Sequence, residues 1–195
     1  YKLLNKKSYI IATISYAKEG EDYLNEGVRK LKNFKLSQLN KELKSHQNWW
    51  SAYNQKSSLS IPDIELQDFY NMQLYKLACA TRENKPAIDL QGPWTANTPW
   101  PAYWHNLNIQ LTYSPVYTAN HLELGKSLVN MIDKNIDNLI KNVPKDYQYN
   151  SAAIGRSSSN DLLSPVLLHA SHKYNIESPA DAELGNLTWM LFSYY

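Results

Sequence analysis

Three of the six tryptophans, Trp94, Trp100 and Trp104, fall within eleven residues, and His105-Asn106-Leu107-Asn108-Ile109-Gln110 follows directly. Indole rings offer flat apolar faces with a polar edge, the combination that stacks on the C–H face of a sugar while leaving hydroxyls to hydrogen-bond elsewhere. Carboxamides supply the complement, since each carries both donors and acceptors. Asn106 and Asn108 stand two residues apart. In an extended or turning segment that spacing points both side chains the same way, whereas on a helix it separates them. Two aligned carboxamides can fix a water or a sugar hydroxyl. The alternative is that they are turn and capping asparagines.

Other residues offer weaker chemistry. His169 and His172 have the i, i+3 spacing of a metal pair on a helix, but no third ligand accompanies them, and packing or surface histidines are the better reading. Asp161, Asp181 and Glu183 stand near helix starts, where isolated carboxylates usually cap. Gly155-Arg156-Ser157-Ser158-Ser159 lacks the Gly-Lys-Ser/Thr ending of a phosphate loop. It reads instead as a pocket-edge loop in which Arg156 can meet a sugar hydroxyl or an acidic sugar. Asn186-Leu187-Thr188 fits a glycosylation sequon, though a buried helix is its expected context. Cys79, the single cysteine, sits in Leu77-Ala78-Cys79-Ala80 and reads as part of a buried helix face. No cofactor is expected.

Composition narrows the field. The 195 residues are 43% hydrophobic and 19% charged, enough apolar material for a folded core. A formal charge of +2, with no Lys/Arg cluster among the aromatics, argues against nucleic acid. No apolar run approaches the roughly 20 residues needed to span a bilayer. Fifteen Tyr and six Trp against three Phe favour rings with a polar handle, which suit sugar sites and large helical cores alike.

The elements that must position these residues are mostly helical. Residues 8–16 (SYIIATISY) are β-branched and aromatic and predict a strand with no partner nearby, the last of a preceding β domain or linker occupying residues 1–17. Residues 21–34 carry Leu24, Val28 and Leu31 at helical spacing. Ser37 can cap a second helix whose apolar positions are Leu39, Leu43, His46, Trp50 and Tyr53. Ser60-Ile61-Pro62-Asp63 opens a third helix reaching about Thr81, with Leu66, Phe69, Tyr70, Leu74, Leu77 and Ala78 as a wide apolar face. Residues 82–101 hold Pro86, Gly92, Pro93, Pro99 and Pro101 and predict a long irregular loop, usually functional at that length. Helix returns near Leu107, kinks at Pro115, resumes near Ala119 and ends at Asn142 before Val143-Pro144. A polar loop over 147–161, a shorter apolar stretch over 162–174 and a last helix after Ser178-Pro179 complete the chain. That helix stops at Tyr195 inside its apolar pattern, so a fragment is expected.

Asp89-Leu90-Gln91-Gly92-Pro93-Trp94, then Pro99-Trp100, then Asn106-Leu107-Asn108-Ile109-Gln110-Leu111-Thr112-Tyr113-Ser114-Pro115 resembles the signature of glycoside hydrolase family ninety-five, which includes α-L-fucosidases and α-L-galactosidases. That pattern is LQG-x-W, Pro-Pro-Trp, then N-x-N-x-Q-M-N-Y-W-P. Ser45-His46-Gln47-Asn48-Trp49-Trp50, Ile61-Pro62-Asp63 and Glu183-Leu184-Gly185-Asn186-Leu187-Thr188-Trp189 resemble flanking helices of the same family. The resemblance runs from about Ser37 to the end of the chain.

It implies a mainly α fold, part of a six-hairpin α/α barrel whose N-terminal part is residues 18–195. It also implies inverting hydrolysis, in which an acid protonates the leaving oxygen while water attacks the opposite face, about 6.5–9.5 Å separating the two groups. Asn106 and Asn108 match the pair that holds the water. Gln91, Trp94, Trp100, Trp104, His105, Gln110 and Arg156 are the expected sugar contacts. Thr112, Ser114 and Tyr117 depart from the motif, which leaves the sugar open, and the family's acid and a later aspartate fall beyond Tyr195. The expectation is a secreted or periplasmic glycosidase acting on a terminal α-linked sugar of an oligosaccharide or polysaccharide, with the rest of its barrel as a further partner. Its alternatives are a non-catalytic carbohydrate-binding relative, an inactive half-barrel, and a helical scaffold in which the aromatics are core.

Overall fold

The computed structural model describes residues 3–4, 7–15, 22–95, 97–98, 101–105 and 107–163. They fall into two compact units, Tyr1–Ala52 and Tyr53–Tyr195, divided within one helix. The N-terminal unit opens with two antiparallel two-residue strands, β1 (Leu3–Leu4) and β2 (Lys7–Ser8). The strand predicted over 8–16 is therefore corrected: among its described residues only Ser8 is in a strand, its partner is β1, and residues 9–15 have no regular structure. Ile10, Ile11 and Ile14 are exposed, so β-branched composition here lacks the cross-strand and face packing that makes it favour a sheet.

Helix α1 (Tyr23–Asn33) starts where predicted, with the Asp22 carboxylate accepting from the Asn25 N–H at 3.3 Å. The second helix, α2 (Leu39–Lys56), follows a single 3-10 turn over Leu36–Gln38. Ser37 lies inside that turn and is not the cap. The Gln38 side chain instead reaches back to accept from the Lys35 N–H at 2.9 Å. In the third helix, α3 (Ile64–Ala80), the cap is Asp63, accepting from the Leu66 N–H at 3.0 Å, and not Ser60. The wide apolar face predicted for α3 is buried only toward its C-terminus, at Leu74, Leu77 and Ala78, while Leu66 and Phe69 are more than half exposed. Cys79 is exposed as well, correcting the buried reading. One residue turns a helix by about 100°, enough to carry Cys79 off the face that buries Ala78.

The core of the second unit is a helical hairpin. Helix α4 (Asn108–Thr118) runs through Pro115, which is exposed, so the carbonyl it leaves unbonded can be hydrated. The chain then breaks at Asn120, in the left-handed region at φ 55°. The His121 N–H donates to Val116 O at 2.8 Å and the Asn120 N–H to Tyr117 O at 3.2 Å, the paired bonds of a Schellman turn. Helix α5 (Leu122–Lys134) and the short α6 (Ile136–Lys141) follow. The single helix predicted from 119 to 142 is thus two, separated at Asn135. Ile109, Tyr113 and Val116 of α4 and Leu124, Leu128 and Ile132 of α5 are fully buried, joined by Leu139, Ile154 and Leu162.

The loop after α6 has no ladder of its own and is tied to the helices by asparagines. Asn135 donates to Asn160 O at 3.2 Å, Asn138 to Asp161 O at 2.9 Å, and Asn142 to Ala153 O and Leu162 O at 3.0 and 2.8 Å. At its end β4 (Ser157–Ser158) pairs antiparallel with β3 (Tyr103–Trp104), Tyr103 opposite Ser158 and Trp104 opposite Ser157. No helix among the described residues is long and apolar enough to cross a membrane. The elements predicted after residue 163 lie outside the described residues.

Candidate functional site

The irregular loop predicted over 82–101 is present, and hydrogen bonds from three directions hold it. Thr81 Oγ1 donates to Pro86 O at 2.8 Å, the Tyr103 hydroxyl donates to Ala87 O at 2.9 Å, and the Leu90 N–H donates to Ala102 O at 3.2 Å. The deepest anchor is a relay. The Ile88 N–H donates to the Tyr113 hydroxyl at 2.9 Å. That hydroxyl lies 2.9 Å from Ser127 Oγ, whose own proton goes to Leu124 O at 2.9 Å, so Tyr113 donates to Ser127. Burial pushes the Tyr113 phenol far above its ordinary range, so it stays protonated as the relay requires.

At the tip of this loop, Asp89 Oδ1 accepts from the N–H groups of Gln91 and Gly92 at 2.9 and 2.6 Å, closing an Asx turn. Gly92 has φ +62°, which other residues adopt only with strain. The Gln91 carboxamide donates to Trp94 O at 2.7 Å. Gln91 is half-buried and Trp94 is 50% exposed, so half of that residue's surface is open to solvent. That degree of exposure does not fit a scaffold in which Trp94 is core. Trp100 lies outside the described residues, as do His169, His172, Asp181, Glu183 and Asn186.

The strand pair β3–β4 brings a second group of predicted residues together across some 50 positions of sequence. Trp104 is half-buried, and the Arg156 guanidinium lies 5.8 Å from its ring centroid. His105 sits one residue further and faces the opposite way. It is fully buried, with its ring parallel to Tyr103 at 6.2 Å and Nε2 2.6 Å from Ser158 Oγ. Its lack of exposed surface corrects the expectation of a direct sugar contact. Burial alone pushes its pKa down to about 3, so the ring is neutral. The Tyr103 phenol is pushed up to about 12, by burial first and then by the Asp89 carboxylate.

Asn108 is half-buried and is the first residue of α4. Leu107 before it already holds helical backbone, φ −99° and ψ −44°, so the extended geometry that aligns alternate side chains ends by Leu107. Asn106 lies outside the described residues. Gln110 is half-buried on α4, but i, i+2 spacing on a helix turns it away from Asn108. Asp161, weighed as an acid, caps its own turn, accepting from the Ser159 hydroxyl and from the Leu163 N–H.

A cavity of about 550 Å³ opens beside the loop, lined by Cys79, Arg82, Lys85, Asp89, Gly92 and Tyr103 among others. Burial lowers the Arg82 pKa. No group of three His, Cys, Asp or Glu side chains among the described residues is placed to hold a metal ion. Two participants escaped the sequence reading, Ser158 and Tyr113. Tyr113 stood in plain view within the motif, but only its burial and its reach to Ile88 disclose its role.

The α4–α5 hairpin and the amide- and aromatic-rich loops packed on it describe a mainly α domain. Residues 23–180 match the model described as glycosyl hydrolase family 95 catalytic domain, and the chain belongs to that family. It is part of an α/α toroid, and its activity class is glycoside hydrolysis on a carbohydrate substrate. A search of curated proteins found no match.

Proposed function

We propose that this domain forms one wall of an inverting glycosidase site for a terminal α-linked sugar of fucose or galactose type. Asn106 and Asn108 hold the water that attacks the anomeric carbon. Trp94, Trp100 and Trp104 supply the apolar faces on which the sugar stacks, with Gln91, Gln110 and Arg156 as hydrogen-bonding partners. His105 belongs behind this surface, not on it. On this reading the protein works in a secreted or periplasmic setting on glycans or polysaccharides.

The observation that carries the reading is the placement of Asn108 at the opening of α4, four residues after Trp104 and its stacked Arg156. A half-buried carboxamide four positions after a half-buried ring that faces a guanidinium suits a segment that meets a polyhydroxylated ligand. The test is Asn106→Ala and Asn108→Ala in the full-length protein, assayed on α-L-fucosyl and α-L-galactosyl oligosaccharides. Each should lower kcat by about a hundredfold or more with the melting temperature unchanged, since positioning the nucleophile is worth that much. Unchanged turnover would remove the role given to these residues. Proton NMR of the first product formed should show the anomer opposite to that of the substrate, and retention would exclude the inverting route.

A further inference from the structure

We propose that His105 is a positioning residue for this reaction: its Nε2–H, held by Ser158, fixes the turn from which Asn108 enters the site. The proposal rests on the glycosidase reading above. Main chain and side chain of His105 are both bound to the β4 segment. Its N–H donates to Arg156 O at 2.8 Å, and Nε2 lies 2.6 Å from Ser158 Oγ.

The direction of the second bond follows from the hydroxyl. Ser158 Oγ donates to Ser159 O at 2.8 Å and has one proton, so it accepts from Nε2–H. The other tautomer would bury an Nδ1–H, and Nδ1 has no partner among the described residues. Orphaned buried donors are rarer than under-used acceptors, so the bare Nδ1 is the less costly arrangement. Stacking on Tyr103 fixes the plane of the ring. The residue after β3 is therefore pinned at backbone and ring together, three positions before Asn108. Trp104 shares the same pinned strand, so the clamp sets the water-holding carboxamide and the stacking ring in one frame.

The tautomer is measurable without turnover. Long-range proton–nitrogen NMR on the full-length protein should show Nε2 protonated and Nδ1 bare, and an Nδ1–H signal would overturn the proposal. In kinetics, His105→Phe keeps the ring but removes the donor, and Ser158→Ala removes the acceptor. Each should lower kcat about ten- to a hundredfold with KM little changed, as a small misplacement does. His105→Gln, whose amide can reach Ser158, should recover most of the loss, and the double variant should be no worse than the more damaged single one. If His105→Phe fails to fold, Ser158→Ala and the tautomer still decide. A kcat per folded molecule that is unchanged, or no recovery with Gln, would sink the clamp. Asn108→Ala inactive beside an active Ser158→Ala removes only the clamp; both silent removes the glycosidase reading beneath it.

Discussion

Tyr113 links the loop to the hairpin through one hydroxyl, which accepts from the Ile88 N–H and donates to Ser127. Tyr113→Phe would leave a buried N–H and a buried serine oxygen each short of a partner, and such groups cost about 1–3 kcal/mol. The expected result is a loss of roughly that size in urea unfolding at constant m-value. Equal stability would mean that the relay carries no net free energy. At this scale the sequence was partly legible. The spacing of Trp94, Trp104 and Asn108 leads to the expectation of a ligand-facing segment, and Trp94 is half exposed. It was misleading for His105 and Cys79, because exposure of a single side chain depends on which neighbouring elements cover it. His105 is covered by a strand more than 50 residues later, and the flank of α3 that bears Cys79 is left open.

Helices α4 and α5 approach closely because Gly125 has no side chain. A Cβ there would sit 3.1 Å from Val116 Cγ1, and Val116 is fully buried with little room to yield. Gly125→Val should therefore destabilise the fold by about 1–3 kcal/mol, in spite of removing a glycine from a helix. Gly125→Val paired with Val116→Ala should regain part of that loss in thermal melts. No recovery would place the strain elsewhere. The extent of α1, the C-terminal end of α3 and the start of α4 were legible from periodicity. The break between α4 and α5 was not, since Asn120 enters the left-handed region only where a Schellman turn closes on Val116. Asn135, Asn138 and Asn142 recur at helical spacing and read in sequence as ordinary polar surface. Their shared task, holding the segment that follows β4, needs that segment to be in place.

Across the molecule, two buried histidines set a direction for acid sensitivity. His105 has its pKa pushed down to about 3 by burial. His121 is lowered too, burial outweighing the opposing pull of Glu123, whose Oε1 lies 3.7 Å from His121 Nδ1. Its ring stacks on Tyr53 at 3.8 Å. Burial also pushes the Glu123 carboxyl up, but the Lys56 ammonium at 2.8 Å outweighs that and holds it below its usual value. A histidine whose folded pKa is depressed is protonated first in the unfolded chain. Its contribution is complete above the unfolded value near 6.5 and is lost as pH falls toward the folded value. The melting temperature should thus drop between about pH 6.5 and pH 4, and His121→Phe should flatten that slope. A melting temperature constant over this range would contradict the burial of both rings.

By itself the sequence determined the mainly helical class, the long proline-broken loop and the family to which the chain belongs. These rest on local spacing, caps and motif order, which need no knowledge of distant neighbours. Only the tertiary structure decided that α4 and α5 form a hairpin, that Ser157–Ser158 become the strand beside Trp104, and that His105 is buried against Ser158. Those outcomes turn on contacts between residues far apart in the chain, where burial and unpaired polar atoms determine which arrangement is lowest in free energy.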